Sequence, residues 1–121
     1  MFNIIYIYIY NMIGTYIAEA VGSFIFFAIV LTKGEPVMIA VGLLVGILVA
    51  TIASQGHLNP CITAMAYMEG KMDGDESIAY IAAQIVGGIA AVQWYNYYSI
   101  SGLGQSQSQS PDKIAFFKAN P

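Results

Sequence analysis

The chain has 121 residues, of which 58% are hydrophobic and 9% charged, and its net charge is −3. Soluble domains carry about 25% charged residues, so this composition indicates an integral membrane protein of one compact domain. Four lysines and no arginine exclude nucleic acid as an expected partner, and a single cysteine excludes an internal disulfide.

A first transmembrane helix is predicted at about residues 12–31, because Glu19 is the one side chain between Phe2 and Leu31 that is charged at neutral pH in water. The alternating Ile and Tyr residues at 5–10 have the period of a strand. We expect them to extend the helix instead, since tyrosine favours the lipid headgroup level. No Lys or Arg precedes this segment, so a cleavable signal peptide is not expected, although Ala18-Glu19-Ala20 has the small residues of a cleavage site.

Two further transmembrane helices are predicted, at about 37–54 and 78–100. The first follows Pro36, a residue favoured in the first turn of a helix, and contains no charge. The second follows a polar turn at 71–76, with Ser77 as its expected N-cap. Its far end is aromatic and is predicted to lie in the membrane interface: Trp94, Tyr95, Tyr97 and Tyr98.

Between these two segments lies a short helix, predicted at 59–69. Asn59 is a good N-cap, Pro60 suits the first helical position, and Gly70 is a typical C-terminal stop. A helix of about 10 residues is about 15 Å long, or half the hydrocarbon thickness of a bilayer. The sequence therefore predicts a re-entrant half-helix that begins at membrane depth.

Each long helix also carries small residues at four-residue spacing. They are Gly14, Ala18 and Gly22; Gly42, Gly46, Ala50 and Ser54; and Ala79, Ala83, Gly87 and Ala91. Such stripes allow close helix contact in lipid, although glycine is common in all membrane helices. Residues 101–121 are expected to form a flexible tail rich in Gly, Ser and Gln, and 114–118 could touch the membrane surface.

The segment His57-Leu58-Asn59-Pro60-Cys61-Ile62-Thr63 resembles the first Asn-Pro-Ala box of the aquaporin and glycerol-facilitator family, with cysteine in the alanine position. Residues 18–24, 40–43 and 82–88 resemble the family's first three helix signatures in order and spacing, so the similarity covers about 13–98. It implies an all-α membrane protein with three transmembrane helices and one re-entrant half-helix. That is half of an aquaporin-like inverted repeat, formed by residues 1–100.

The resemblance implies a passive channel for water or small neutral solutes such as glycerol. Asn59 would donate hydrogen bonds to solute, and Pro60 would fix how it is presented. The backbone carbonyls of Gln55, Gly56 and His57 would form a line of acceptors. The half-helix dipole would raise the barrier for cations.

The resemblance also implies supporting roles. Glu19 would stay buried and accept hydrogen bonds from the re-entrant loop, or it could be protonated and bonded to a neighbouring carbonyl. Gln84 would brace the loop or simply join two helices. Val41 would lie near the selectivity constriction and leave it wide. Cys61 could be a small core residue, or it could enlarge the junction between half-helices.

No cofactor or metal is expected. His57 and Cys61 are four residues apart, but the sequence has no second His or Cys, and Pro60 separates them. No nucleophile, base and orienting group cluster together, so an enzyme is not expected.

The chain departs from the family pattern in having one Asn-Pro box and no arginine. One half-helix covers half the membrane, so a monomer is not expected to conduct. We expect the missing half to come from an inverted second copy in a homo-oligomer, or from a second-half partner. The few lysines specify orientation weakly, which makes insertion in both orientations plausible. The alternative is a non-conducting or truncated family member that packs with a partner.

Overall fold

A computed structural model describes residues 1–101, and in that range the chain is helical and contains no strand. The four helices are α1 (Phe2–Thr32), α2 (Pro36–Ala50), α3 (Pro60–Met68) and α4 (Gly74–Ile100). By length and composition, α1 and α4 could each cross a membrane, whereas α2 is apolar but only 15 residues long. Apart from Ser101, the predicted tail lies outside the described residues.

Helix α1 begins at Phe2, ten residues before the start predicted for the first transmembrane segment. The Ile-Tyr alternation is therefore helical, and the strand alternative is wrong. At 31 residues, α1 is about 46 Å long, close to the roughly 40–45 Å of a bilayer with its headgroups.

Helix α2 ends at Ala50, four residues earlier than predicted. The chain tightens there, because the backbone N–H groups of Ile52 and Ala53 bond to carbonyls three residues back instead of four. The Ser54 N–H closes the turn on the Ala50 carbonyl at 2.8 Å. Residues 51–54 thus form a turn, so the helical part of the segment predicted at 37–54 ends at Ala50.

The short helix α3 has the predicted ends. The Asn59 side-chain Oδ1 accepts a hydrogen bond from the Cys61 N–H at 2.8 Å, and Pro60 is the first helical residue. Gly70 has φ +73, the left-handed conformation expected of a helix stop.

Helix α4 begins at Gly74, so the predicted start at 78 and the predicted Ser77 cap are wrong. Asp73 caps the helix instead, and its Oδ1 accepts from the Glu76 N–H at 2.8 Å. Aspartate is a favoured N-cap, and Ser77 lies inside the first turn of the helix that follows it. The Ser77 hydroxyl donates to the Asp73 carbonyl at 2.8 Å.

Helix α1 packs against both α2 and α4 through small residues. A Cβ built on Gly22 would lie 2.7 Å from the Gly46 carbonyl oxygen, and one on Gly46 would lie 2.7 Å from the Gly22 carbonyl oxygen. A Cβ on Gly87 of α4 would overlap the Ala20 carbonyl oxygen of α1. Gly22, Gly46 and Gly87 of the predicted stripes therefore lie at close helix contacts, whereas Gly14 has nothing within 4 Å of its Cβ position.

The order of these contacts gives the helix directions. Tyr16 meets Tyr80, while Phe24, further along α1, meets Trp94, further along α4, so α1 and α4 run parallel. Helix α3 packs on α4 in the opposite direction, with Ala66 in one apolar cluster with Met72 and Tyr80. The half-helix therefore occupies only the part of the bundle that lies beside the first turns of α4.

Candidate functional site

The centre of the site is Glu19, which lies in the middle of α1 and is 0% exposed. Its Oε1 accepts hydrogen bonds from the Ser54 hydroxyl at 2.9 Å and the His57 N–H at 2.8 Å. Its Oε2 accepts from the Leu58 N–H at 2.9 Å and from Gln84 Nε2 at 3.2 Å. One carboxylate thus ties α1 to α4 and to the loop that precedes α3.

Three of the four partners of Glu19, the two backbone N–H groups and the Gln84 amide, can only donate, while the Ser54 hydroxyl also lies 2.9 Å from the Ala50 carbonyl oxygen. Hydrogen bonds to a charged acceptor are the strong ones, and a buried charge that is fully bonded holds its surroundings in place.

The loop adopts a conformation that needs such an anchor. Gly56 has φ +67, and Leu58 has φ 55, a left-handed conformation that a branched residue rarely adopts. Leu58 is 1% exposed, and its methyl groups fill the space left by Gly22 and Gly46 at the α1–α2 crossing. Packing and the two hydrogen bonds to Glu19 together hold this strained turn.

A chain of side-chain hydrogen bonds continues from Gln84 across the base of the loop. Gln84 Nε2 donates to Thr63 Oγ1 at 2.9 Å, and Thr63 Oγ1 lies 3.0 Å from His57 Nδ1. His57 Nε2 lies 3.2 Å from Gln55 Oε1. A proton on Nε2 satisfies this order, with the Thr63 hydroxyl donating to Nδ1. Both ring nitrogens of His57 therefore have partners within the loop and α3.

Gln84 thus bonds to Glu19 of α1 and Thr63 of α3, and within residues 1–101 no hydrogen bond joins it to the loop backbone. The loop backbone is held from α4 by a different residue, Tyr80, whose hydroxyl accepts from the Gln55 N–H at 3.2 Å. Tyr80 is one turn before Gln84 and is 1% exposed.

The groups expected to meet solute differ in exposure: Gln55 is exposed, whereas Gly56 and His57 are buried. Asn59 and Cys61 are exposed. The Asn59 Oδ1 is occupied by the helix cap, which leaves its Nδ2 as the free donor. Within residues 1–101, no donor bonds to the backbone carbonyl oxygens of Gln55, Gly56 or His57.

Val41 lies outside this cluster. It is 41% exposed and sits on α2, nine residues before the end of that helix. The hydrogen-bond network around Glu19 therefore does not test the predicted place of Val41 at a constriction.

Sequence reasoning missed four residues of the network: Ser54, Leu58, Thr63 and Tyr80. Thr63 and Leu58 stand in the quoted motif, but their types carry no obvious chemistry. Tyr80 precedes Gln84 by four residues, a spacing that places both on one helix face. The position of Gln84 was therefore the sequence signal that could have identified Tyr80.

An open groove of about 600 Å³ begins beside the start of α3 and continues between α1 and α4. It is lined by Phe27, Val30, Leu31, Leu58, Pro60, Gln84, Ile85, Gly88, Ile89, Val92 and Gln93. The groove lies on the side of Gln84 away from α3, so the two occupy opposite halves of the α1–α4 pair.

At the other end of α3, Lys71 Nζ lies 2.6 Å from Glu69 Oε2. The hydrogen bond to Glu69, with the negative charge of that carboxylate, raises the pKa of the Lys71 ammonium. Both side chains are exposed, so this pair contributes little to stability.

The fold and the site together define an all-helical protein with apolar helices long enough to span a membrane and a short helix capped by an asparagine-proline pair. A family model described as major intrinsic protein matches residues 5–119. The chain therefore belongs to the major intrinsic protein family, which is an integral membrane family. The match runs further along the chain than the resemblance at 13–98 and takes in most of the predicted tail.

The chain is similar to Glycerol uptake facilitator protein-like 6 of Lactiplantibacillus plantarum, with 32% identity over 102 residues. The similarity covers 75% of this chain and 46% of that relative, so the chain spans about half the length of the curated relative it matches. No solved structure matched.

Proposed function

We propose that this chain forms one half of a passive membrane channel for water or small neutral solutes such as glycerol. Members of its family are channels and not enzymes. The observation that carries the proposal is the start of α3, where the exposed Asn59 keeps a free amide donor beside a buried hydrogen-bond network that holds the preceding loop.

The depth of this point in a bilayer follows from the helices that bind it. Glu19 and Gln84 are hydrogen bonded and so lie at one level. Tyr10 and Tyr6 lie about 14 and 20 Å from Glu19 along α1. Trp94 and Tyr98 lie about 15 and 21 Å from Gln84 along α4, in the opposite direction.

Half the hydrocarbon thickness of a bilayer is about 15 Å, and aromatic residues favour the interface just beyond it. Both groups of aromatic residues fall at that distance when Glu19 and Gln84 are placed at the midplane. This placement supports a re-entrant α3 that starts near the membrane centre, with α1, α2 and α4 as the membrane-crossing elements.

The chemistry of the site fits small polar solutes without charge. Asn59 has an amide donor, and the carbonyls of Gln55, Gly56 and His57 are acceptors. A water molecule or a hydroxyl group would exchange its hydrogen bonds to bulk water for hydrogen bonds to these groups. The positive end of the α3 dipole opposes cations. The carboxylate of Glu19 is already hydrogen bonded to four protein groups, so it is not available to the solute.

A single α3 of nine residues is about 14 Å long and accounts for half the hydrocarbon thickness. The proposed pore therefore needs a second half-unit, supplied by an inverted second copy or by a second-half partner. With no arginine in its 121 residues and with Val41 of modest size, such a pore would admit glycerol as well as water.

Osmotic shrinkage of vesicles that contain the purified chain tests this function. We expect the chain to raise water permeability and Asn59→Asp to lower that increment about tenfold, the effect of losing roughly 1.4 kcal/mol of stabilisation. Aspartate keeps the helix cap but lacks the amide donor. Asn96→Asp makes the same change at an exposed interfacial position and should conduct normally. Vesicles no more permeable than empty ones would favour a non-conducting protein that packs with a partner.

A further inference from the structure

Four consecutive backbone N–H groups in the loop before α3 are each held by a side-chain oxygen. The Tyr80 hydroxyl accepts from the Gln55 N–H at 3.2 Å, and the Ser54 hydroxyl accepts from the Gly56 N–H at 3.0 Å. The two carboxylate oxygens of Glu19 accept from the next two N–H groups along the chain, at 2.8 and 2.9 Å. The loop is thus fixed peptide by peptide, by groups from α1, from α4 and from the loop itself.

These bonds also fix the directions of four carbonyl groups. The peptides are trans and planar, so each C=O points opposite to the N–H of the residue that follows it. Because the N–H groups turn towards the buried network, the carbonyl oxygens one residue earlier turn away from it. They belong to Ser54, Gln55, Gly56 and His57. Within residues 1–101, no donor bonds to the Ser54 carbonyl oxygen, as is true of the other three.

The Ser54 carbonyl therefore adds a fourth acceptor to the three proposed above, at the end of the line furthest along the chain from Asn59. Gln55 is exposed and Ser54 is half-buried, whereas residues 56–58 are buried. The two residues at this end of the loop are thus more accessible than those that follow them.

In the part of the chain that the structure describes, the hydroxyl of Tyr80 is the single group hydrogen bonded to the Ser54–Gln55 peptide. The Tyr80 side chain is 1% exposed, and its ring packs in the apolar cluster at α3 and meets the Tyr16 ring edge-on at 6.0 Å. These contacts hold the ring without the hydroxyl. If the hydroxyl were removed, the Gln55 N–H would have to rotate to reach water, and the Ser54 carbonyl would turn with it.

We propose that Tyr80 is a positioning residue for solute passage, and that the Ser54 carbonyl oxygen it orients is a further acceptor for the solute. This inference rests on the proposed channel and adds to it one acceptor and the group on α4 that sets its direction. Tyr80 acts through the Ser54–Gln55 peptide and does not touch the solute. The Ser54 oxygen would accept a hydrogen bond from water or from a hydroxyl group of a small neutral solute.

Tyr80→Phe tests the proposal, because it keeps the buried ring and removes only the hydroxyl. In vesicles that contain the full chain, we expect it to lower the increment in water permeability about threefold, the effect of weakening one hydrogen bond on the path. Backbone amide hydrogen exchange, measured by NMR in the same lipids, should become about tenfold faster at Gln55 and stay unchanged at residues 56–58. Tyr97→Phe is the matched control: it makes the same change on the same helix at a side chain that is 72% exposed, and it should alter neither measurement.

The two measurements separate this inference from the channel itself. Unchanged permeability in Tyr80→Phe, or unchanged exchange at Gln55, would overturn the role of Tyr80 and leave the channel in place. Faster exchange at all four amides would also overturn it, because Tyr80 would then support the whole loop instead of one peptide. A native chain that adds no permeability would refute the channel, and exchange at Gln55 would then decide alone whether Tyr80 orients the peptide.

Discussion

At the scale of single residues, Glu19 is a fully buried ionisable side chain with four hydrogen-bond partners. A carboxylate inside a membrane is costly unless its lone pairs are satisfied, and this one is satisfied by two backbone N–H groups, a hydroxyl and an amide. The same hydrogen bonds hold the loop in which Gly56 and Leu58 have left-handed conformations. This loop places Asn59 at the start of α3.

Replacing Glu19 by Gln should therefore destabilise the protein. The new amide nitrogen would face donors, so two hydrogen bonds to a charged acceptor would be lost, at a cost of about 2–4 kcal/mol. Denaturant unfolding in detergent, followed by circular dichroism, measures this change. Glu35→Gln alters an exposed carboxyl whose side chain makes no capping bond, and it should change stability by less than about 0.5 kcal/mol. Equal effects of the two substitutions would show that the Glu19 network does not hold the loop.

At the scale of helices, the α1–α2 crossing depends on glycines whose carbonyl oxygens occupy each other's Cβ space. Lipid supplies no hydrophobic drive between helices, so this close approach is a main source of their association. Leu58 fills what remains of the space, which couples the crossing to the loop.

Gly22→Ala and Gly14→Ala make the same change on one helix and should have opposite effects. An alanine Cβ at position 22 would lie 2.7 Å from the Gly46 carbonyl oxygen and 2.8 Å from a Leu58 methyl group, so the crossing must open, at a cost of about 1–3 kcal/mol. At position 14 nothing lies within 4 Å, and the better helix propensity of alanine should add up to about 1 kcal/mol. The same unfolding measurement compares them. Loss of stability at position 14, or none at position 22, would contradict this packing.

Local chemistry made the ends of α3 predictable, since Asn59, Pro60 and Gly70 act through their immediate neighbours. The end of α2 at Ala50 was not predictable from hydropathy, because residues 51–54 remain apolar or small while Glu19 and the Ser54 hydroxyl draw the chain into a turn. The start of α4 was misjudged for a different reason: Asp73 and Ser77 are both good caps, and only the path of the preceding turn decides between them.

The site divides in the same way. Glu19 and Gln84 could be singled out because polar side chains are rare in apolar helices. Leu58, Thr63 and Tyr80 could not, because their roles depend on tertiary contacts 20 or more residues apart in sequence, such as the bond from Thr63 to Gln84.

At the scale of the whole molecule, the described chain is asymmetric about Gln84. Helix α3 packs against α4 on one side of this residue, and an open groove of about 600 Å³ between α1 and α4 lies on the other. A lone copy would leave Asn59, three carbonyl oxygens and the groove facing lipid, where unsatisfied polar groups are costly. The same asymmetry makes an inverted second copy a natural complement.

The membrane depth of Cys61 tests the central claim, that α3 begins in the middle of the bilayer. Cys61 is the natural single cysteine and is exposed, so it can carry a fluorescent probe without other changes. Quenching by lipids with nitroxides at graded depths should be strongest for those near the bilayer centre. Probes at Tyr10→Cys and Trp94→Cys in a Cys61→Ala chain should respond to headgroup-level nitroxides, about 15 Å away. A Cys61 probe quenched best at the headgroups would contradict the re-entrant half-helix and the pore built on it.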